Sequence, residues 1–313
     1  MLHKMIPRGL KRAATREFRW QLVKTLPSVS SHLTQIANFY PHRPEADFYT
    51  LPAYPPANEQ ALTPSLLVPP RDLWVNYGTS EEEYLESGRS DVAKLRQILE
   101  EASAPIEAAE RILEFGCAGG RLIRWLVDLS SCREIWGVDI WASAILWCKE
   151  WLSPPFHFAT TTICPHLPFE DRYFDFIFAG SVFTHIEDLT DAWFLELRRI
   201  LRPGGKLYFS VNDRHAIAVF EGHRTEEEAE AYYKRVGGRE NWERYVDGYL
   251  RSAPEYQAFK NGEVGMVTIN RSAASNVMWD VEFLCKRQEP FYRTLSITPK
   301  AYGHQTAVLC ERV

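Results

Sequence analysis

Residues 111–120 read Arg-Ile-Leu-Glu-Phe-Gly-Cys-Ala-Gly-Gly, and about twenty positions later comes Gly137-Val138-Asp139. Ile112, Leu113 and Phe115 suit a buried strand, and Gly116, Gly119 and Gly120 let the backbone turn sharply and approach a ligand closely. Leu122, Ile123, Trp125, Leu126 and Leu129 recur at helical spacing, which places the glycines between a strand and a helix N-terminus. A second strand over 134–138 ends in Asp139, a carboxylate able to accept both hydroxyls of a ribose. The chemistry indicated is the holding of a cofactor that contains a nucleoside. The dinucleotide pattern G-x-G-x-x-G counted from Gly116 needs glycines where Ala118 and Arg121 stand. A phosphate-binding P-loop fails as well, because no Gly-Lys-Ser/Thr follows.

The run does resemble motif I of the class I S-adenosylmethionine-dependent methyltransferases, acid-x-Gly-x-Gly-x-Gly. Glu114, Gly116 and Gly120 match it, and Ala118 replaces the middle glycine. A positive φ at Ala118 would carry strain of order 1 kcal/mol, so an ordinary backbone conformation is expected there. Further segments extend the resemblance in the family's order. They are Leu167-Pro168-Phe169-Glu170-Asp171, the strand-like 173–180 that ends in Gly180, and Val182-Phe183-Thr184-His185. A helix over 188–201 follows, closed by Arg202-Pro203-Gly204-Gly205 before a fifth strand over 207–211.

The resemblance implies a doubly wound, Rossmann-like α/β fold with a seven-stranded sheet, mostly parallel with one antiparallel strand, a helical cover before it and an insertion after strand five. It also implies S-adenosylmethionine as cofactor. The turn with Glu114, Gly116, Cys117, Ala118 and Gly119 would take the methionine part, Asp139 the ribose, and Ile140 with Ile163 and Cys164 the adenine. Gly180, at the end of the fourth strand, would be a further cofactor-binding residue. Methyl transfer needs mainly alignment and exclusion of water. Where the acceptor carries a proton, His185 is the best placed base, with Asp213 and His215 behind it; a purely local role that positions the loop is the competing reading. Cys117 lacks an evident activating partner for a nucleophilic role, and the scattered cysteines show no metal-ligand spacing, so no metal is expected.

The elements around this core divide the chain into a basic N-terminal helix with a proline-rich strap over 1–70 and a methyltransferase domain over 71–313. Within the domain the core spans 106–212, an insertion 213–262 and the C-terminal strands 263–313. Seven Lys and Arg face one Glu before Pro27, and eight of the nineteen prolines fall between Pro41 and Pro70. The basic helix can dock on the domain with its charges solvated, touch an anionic membrane or a partner, or serve as a transit segment. Helices are expected over 71–101, with Ser80 and Glu83 at capping-box spacing and Arg89 able to reach a cofactor carboxylate. In the insertion, 226–233 and 241–250 look helical. Beyond it, 265–269 reads as a strand, 272–279 as a helix, and 292–297 and 305–310 as the last strands. The aromatic residues of the insertion suit either the acceptor side of the pocket or a face for a second subunit, as in a homodimer.

A chain of 313 residues with 45% hydrophobic residues and a net charge of −5 suits a cytoplasmic enzyme and argues against a nucleic-acid partner. The reading is thus an enzyme that methylates a small-molecule or glycan-like acceptor. A catalytically inactive cofactor-binding scaffold and an NAD-dependent oxidoreductase are the alternatives.

Overall fold

The computed structural model describes residues 67–75, 77–220, 253–269 and 276–313. The segment 1–66, with its basic and most of its proline-rich parts, and the insertion helices expected over 226–250 lie outside the described residues.

Among the described residues nine strands run β1 Arg111–Phe115, β2 Glu134–Asp139, β3 His157–Thr160, β4 Phe174–Ala179, β5 Leu201–Val211, β6 Met266–Ile269, β7 Asn276–Trp279, β8 Tyr292–Tyr302 and β9 Gln305–Arg312. Seven of them form one sheet in the order β3-β2-β1-β4-β5-β9-β8. β1 to β5 pair in parallel, and β9 runs antiparallel between β5 and β8. Strand order reverses at β1, which lies between β2 and β4, and the carboxyl ends beside such a reversal are where open α/β sheets bind ligands.

The strands are apolar on both faces because helices cover both. Alternate residues feed two cores. One holds Ile112, Phe176, Phe178 and Tyr208 with Val92, Leu95 and Leu99 of helix α1, Glu81–Glu101. The other holds Leu113, Phe115, Ile177 and Phe209 with Trp193, Phe194 and Leu197 of α3, Thr190–Ile200. Helix α2, Ala142–Trp151, follows β2, and α4 Arg214–Phe220, α5 Pro254–Lys260 and α6 Val281–Gln288 complete the described helices.

Helix α1 begins where its capping residues say. Ser80 Oγ accepts the Glu83 amide at 3.2 Å. The Glu83 carboxylate returns to the Thr79 amide at 2.6 Å and the Thr79 hydroxyl at 2.7 Å. The reciprocal arm of the box thus falls one residue earlier than its usual target. Gly88 lets α1 press against the chain leaving the glycine turn, since a Cβ there would lie 2.3 Å from the Arg121 carbonyl oxygen.

Three expectations are corrected. The helical spacing after the glycine turn yields a short 3-10 helix, Ile123–Leu126, between turns. The Arg124 guanidinium takes the Gly120 carbonyl at 2.7 Å and the Gly119 carbonyl at 3.2 Å, and the Glu114 carboxylate takes the Ile123 amide at 2.9 Å. Side chains thereby satisfy the groups that a regular first turn would have paired along its axis. The helix expected over 272–279 is, in its described part, strand β7, paired with β6. Its Val277 amide donates to Thr184 O and its Trp279 amide to Asn212 O, so tertiary pairing overrides local propensity. The turn at 202–205 is a looped-out bulge inside β5, where pairing with β4 jumps from Leu201 to Lys206 and Gly204 has φ +73°.

Candidate functional site

The glycine turn leaves β1 at the strand reversal. Gly116 has φ +84° and Gly120 φ +72°. A Cβ on Gly116 would lie 2.3 Å from Val182 Cγ2, so the turn and the loop after β4 are in direct contact and only glycine fits between them. Ala118 also has a positive φ, +43°, contrary to the conformation expected of it. Its amide donates to Asp139 Oδ2 at 2.8 Å and its carbonyl receives the Cys148 thiol at 3.5 Å. Those two bonds fix the peptide against a strain of about 1 kcal/mol.

Asp139 closes β2, and its second oxygen accepts the Trp141 amide at 2.8 Å. Burial raises its pKa, and the Trp141, Ala118 and Ile140 amides pull it back. An ionised carboxylate offers about four lone-pair positions, so the three amides leave capacity for a further donor. Glu114 is buried behind the turn; burial pushes its carboxyl up to about 8, against the opposing pull of Arg121 and the Ile123 amide. Cys117 is buried, and that burial pushes its thiol well up, which suits a packing residue.

The amides of the turn are already engaged inside the protein. Gly116 N and Cys117 N both donate to Val138 O, and Ala118 N goes to Asp139. Beyond these three amides the turn presents carbonyl oxygens, which keep a lone pair for a further donor even where Gly120 N, Cys148 and Arg124 already bond those of Cys117, Ala118 and Gly119. That matches a cationic ammonium and not a pyrophosphate, which needs free N–H groups.

On the far side of Asp139, Ile140 is 52% exposed and Ile163, after β3, is 70% exposed. Cys164 beside it is exposed, and its amide donates to Thr162 Oγ1 at 3.0 Å. Gly180 ends β4 against the Tyr302 ring, 2.9 Å from where a Cβ would stand. His185 is exposed, with its amide on Val182 O. The turn and Asp139 are thus joined by a hydrogen bond, Glu114 is bonded to the Ile123 amide just past the turn, and Gly180 directly follows the adjacent strand β4. Ile163, Cys164 and His185 stand at the same end of the sheet on loops of their own. Asp213 is buried and engaged with the Thr306 hydroxyl at 2.6 Å, while His215 is exposed.

Arg89 does not approach the turn: it is exposed on α1 and pairs with Glu86 at 2.6 Å. The buried arginine is Arg121, two residues past Gly119. It pairs with Asp91 at 2.7 Å, donates to the Tyr302 hydroxyl, and lies 3.7 Å from the centre of the Tyr77 ring. Burial works against its charge, but Tyr302, Tyr77 and Asp91 outweigh this and hold its pKa above the usual arginine range. Sequence reasoning met Arg121 only as a missing glycine; its place directly after the turn was the available signal. Arg124 also escaped it, and its guanidinium reaches Leu67 O, while Pro69 lies against Gly119. The end of the proline-rich strap therefore runs over the turn.

With this geometry in view, residues 113–209 match the family model described as a methyltransferase domain. A protein of Pyrococcus horikoshii OT3, known from its crystal structure, shares the fold at TM-score 0.50 and 18% identity, over 75% of this chain and 93% of that one. S-adenosylmethionine-dependent methyltransferases of Methanosarcina mazei and Clostridium acetobutylicum are 17% and 12% identical, cover 66% and 72% of this chain and 93% and 91% of theirs, and have TM-scores of 0.43 and 0.47. The fold and the matched domain define a class I S-adenosylmethionine-dependent methyltransferase. Residues 113–209 thus carry a methyltransferase domain, and S-adenosylmethionine is the cofactor. Among the described residues no helix is long and apolar enough to cross a membrane, and no group of three or more His, Cys, Asp or Glu could hold a metal ion.

Proposed function

We propose that this chain transfers the methyl group of S-adenosylmethionine to a small-molecule or glycan-like acceptor bound over the loop after β4. The cofactor, when bound, supplies a methyl carbon made electrophilic by the neighbouring positive sulfur. Asp139 would accept the ribose hydroxyls with the capacity that the Trp141, Ala118 and Ile140 amides leave. Carbonyl oxygens of the 116–119 turn would receive the methionine ammonium. Ile140 and Ile163, apolar yet open to solvent, would enclose the adenine, together with backbone groups near Cys164. The observation that carries this reading is the engagement of the Gly116, Cys117 and Ala118 amides inside the protein, which leaves a turn suited to a cation.

Gly180 and the loop through His185 would set the acceptor side. His185, solvent-accessible at the carboxyl end of β4, would take the proton of a hydroxyl or ammonium acceptor and otherwise hold the loop. Small acceptors and glycans are favoured over nucleic acid because the net charge is −5. The extent of the domain, 71–313, the use of the insertion as acceptor wall or subunit face, and a membrane or partner contact through the basic N-terminus belong to the same proposal.

The test is turnover of labelled S-adenosylmethionine over a panel of hydroxyl, amine and glycan acceptors. Label transfer to at least one of them, lost in Asp139→Ala, is expected. Binding of S-adenosylhomocysteine with no transfer to any acceptor would favour a scaffold role instead.

A further inference from the structure

We infer that Gln305 is a positioning residue that holds Ser181 in a left-handed backbone conformation and so fixes the loop after β4 against the glycine turn; this rests on the methyl-transfer reading of that loop. Ser181 has φ +59°, a value that L-residues other than Asn and Asp rarely adopt and that persists only where its surroundings impose it. It directly follows Gly180 and precedes Val182, the side chain that fills the space at Gly116. A relaxation at Ser181 would therefore move both residues that meet the cofactor turn and the Tyr302 ring.

The imposing surroundings form a closed circuit of hydrogen bonds with a consistent direction. The Ser181 amide donates to Ser210 Oγ at 2.8 Å. The Ser210 hydroxyl donates to Gln305 Oε1 at 2.7 Å, and Gln305 Nε2 donates to Ser181 Oγ at 2.8 Å. Thr184 Oγ1 spends its proton on the Ser181 carbonyl at 2.8 Å, so the 3.2 Å contact between the two hydroxyls runs from Ser181 to Thr184. Ser210, Thr184 and Gln305 are all buried, where an unmade bond is costly.

Each member has a different origin: Ser210 lies in β5, Gln305 opens β9, and Thr184 is tied by its carbonyl to β7. Only Gln305 combines an acceptor and a donor on one planar group at the spacing that spans Ser210 and Ser181. A leucine of similar size would keep the packing and lose both bonds.

If Gln305 acts by holding φ at position 181, a residue that adopts positive φ without strain should make it dispensable. The experiment compares Gln305→Leu, Ser181→Gly and the double variant in the full chain. Amide exchange over 182–185 and calorimetric affinity for S-adenosylhomocysteine are the readouts. Gln305→Leu is expected to speed exchange and to weaken binding, each by about tenfold, the scale of one or two lost buried hydrogen bonds. Ser181→Gly alone should stay within about threefold of the wild type, and the double variant should recover most of both losses. Unchanged exchange in Gln305→Leu, or a double variant as impaired as the single one, overturns the inference. Should Gln305→Leu fail to fold, Ser210→Ala breaks the same circuit and is read against Ser181→Gly in the same way. A wild type that does not bind S-adenosylhomocysteine would count against methyl transfer, while the exchange comparison decides on Gln305 independently.

Discussion

The half of the pocket built by β1, β2 and the glycine turn differs in kind from the half built beyond β4. In the first, the bonds that shape the site join residues close in sequence: Glu114 to Ile123, Asp139 to Trp141, and Ala118 to Asp139 across 21 positions. In the second, Ser181 is held by Gln305, 124 positions away, and Thr184 by Val277. On the proposed function a generic task, holding the cofactor, falls to a contiguous and locally determined piece. The proposed acceptor side is assembled from distant segments, and it meets the first half where Val182 packs against Gly116.

The sharpest break between the halves lies in the buried Glu114 carboxyl of the first. Burial places the Glu114 carboxyl at about 8 against a free value of 4.5. Its contribution to stability is whole below about 4.5 and is lost as pH rises through about 8. Glu114→Gln keeps an acceptor for the Ile123 amide and removes that decline. Its unfolding free energy relative to the wild type should improve by up to ~5 kcal/mol between acidic and alkaline pH, as followed by denaturant titration. Parallel curves for the two proteins would show that Glu114 does not titrate in this range.

Arg121→Ala should cost about 3–5 kcal/mol of stability, because Asp91 is left without its partner in a largely buried position. Thermal unfolding with and without an accompanying Asp91→Asn, which removes the orphaned charge, measures it. A loss that the second substitution does not relieve would point to packing on Tyr77 and Tyr302 instead. Asp139→Ala should weaken S-adenosylhomocysteine binding by about 1–3 kcal/mol, the worth of a charged hydrogen bond, with unaltered calorimetric affinity as the contrary result. The smallest effect is expected across the divide. His185→Ala should change that affinity by no more than about twofold, since the residue is exposed on the acceptor loop. A larger loss would place His185 in the cofactor half.

The division also explains what the sequence let one read. Strand β1, the turn, Asp139, β4 and α3 were legible because apolar periodicity and glycine placement encode them locally. Ala118 misled because its positive φ is imposed by Asp139 and Cys148, partners that a propensity argument does not see. The segment 122–129 carried a helical pattern, yet Arg124 and Glu114 capture the groups a regular helix would pair. β7 carried none of its own signal, being a strand by virtue of β6, Thr184 and Asn212. Gln305 and Ser210 stood in unremarkable strand positions; nothing in their neighbours shows that they meet at Ser181.

The central claim is that the turn and Asp139 together hold the nucleoside of S-adenosylmethionine. A crystal structure of the complex with S-adenosylhomocysteine tests it most directly. The account predicts both ribose hydroxyls at roughly 2.6–3.0 Å from the Asp139 carboxylate and the ligand ammonium on carbonyl oxygens of residues 116–119. A ligand bound away from β2, or one whose ribose faces a different carboxylate, would contradict it.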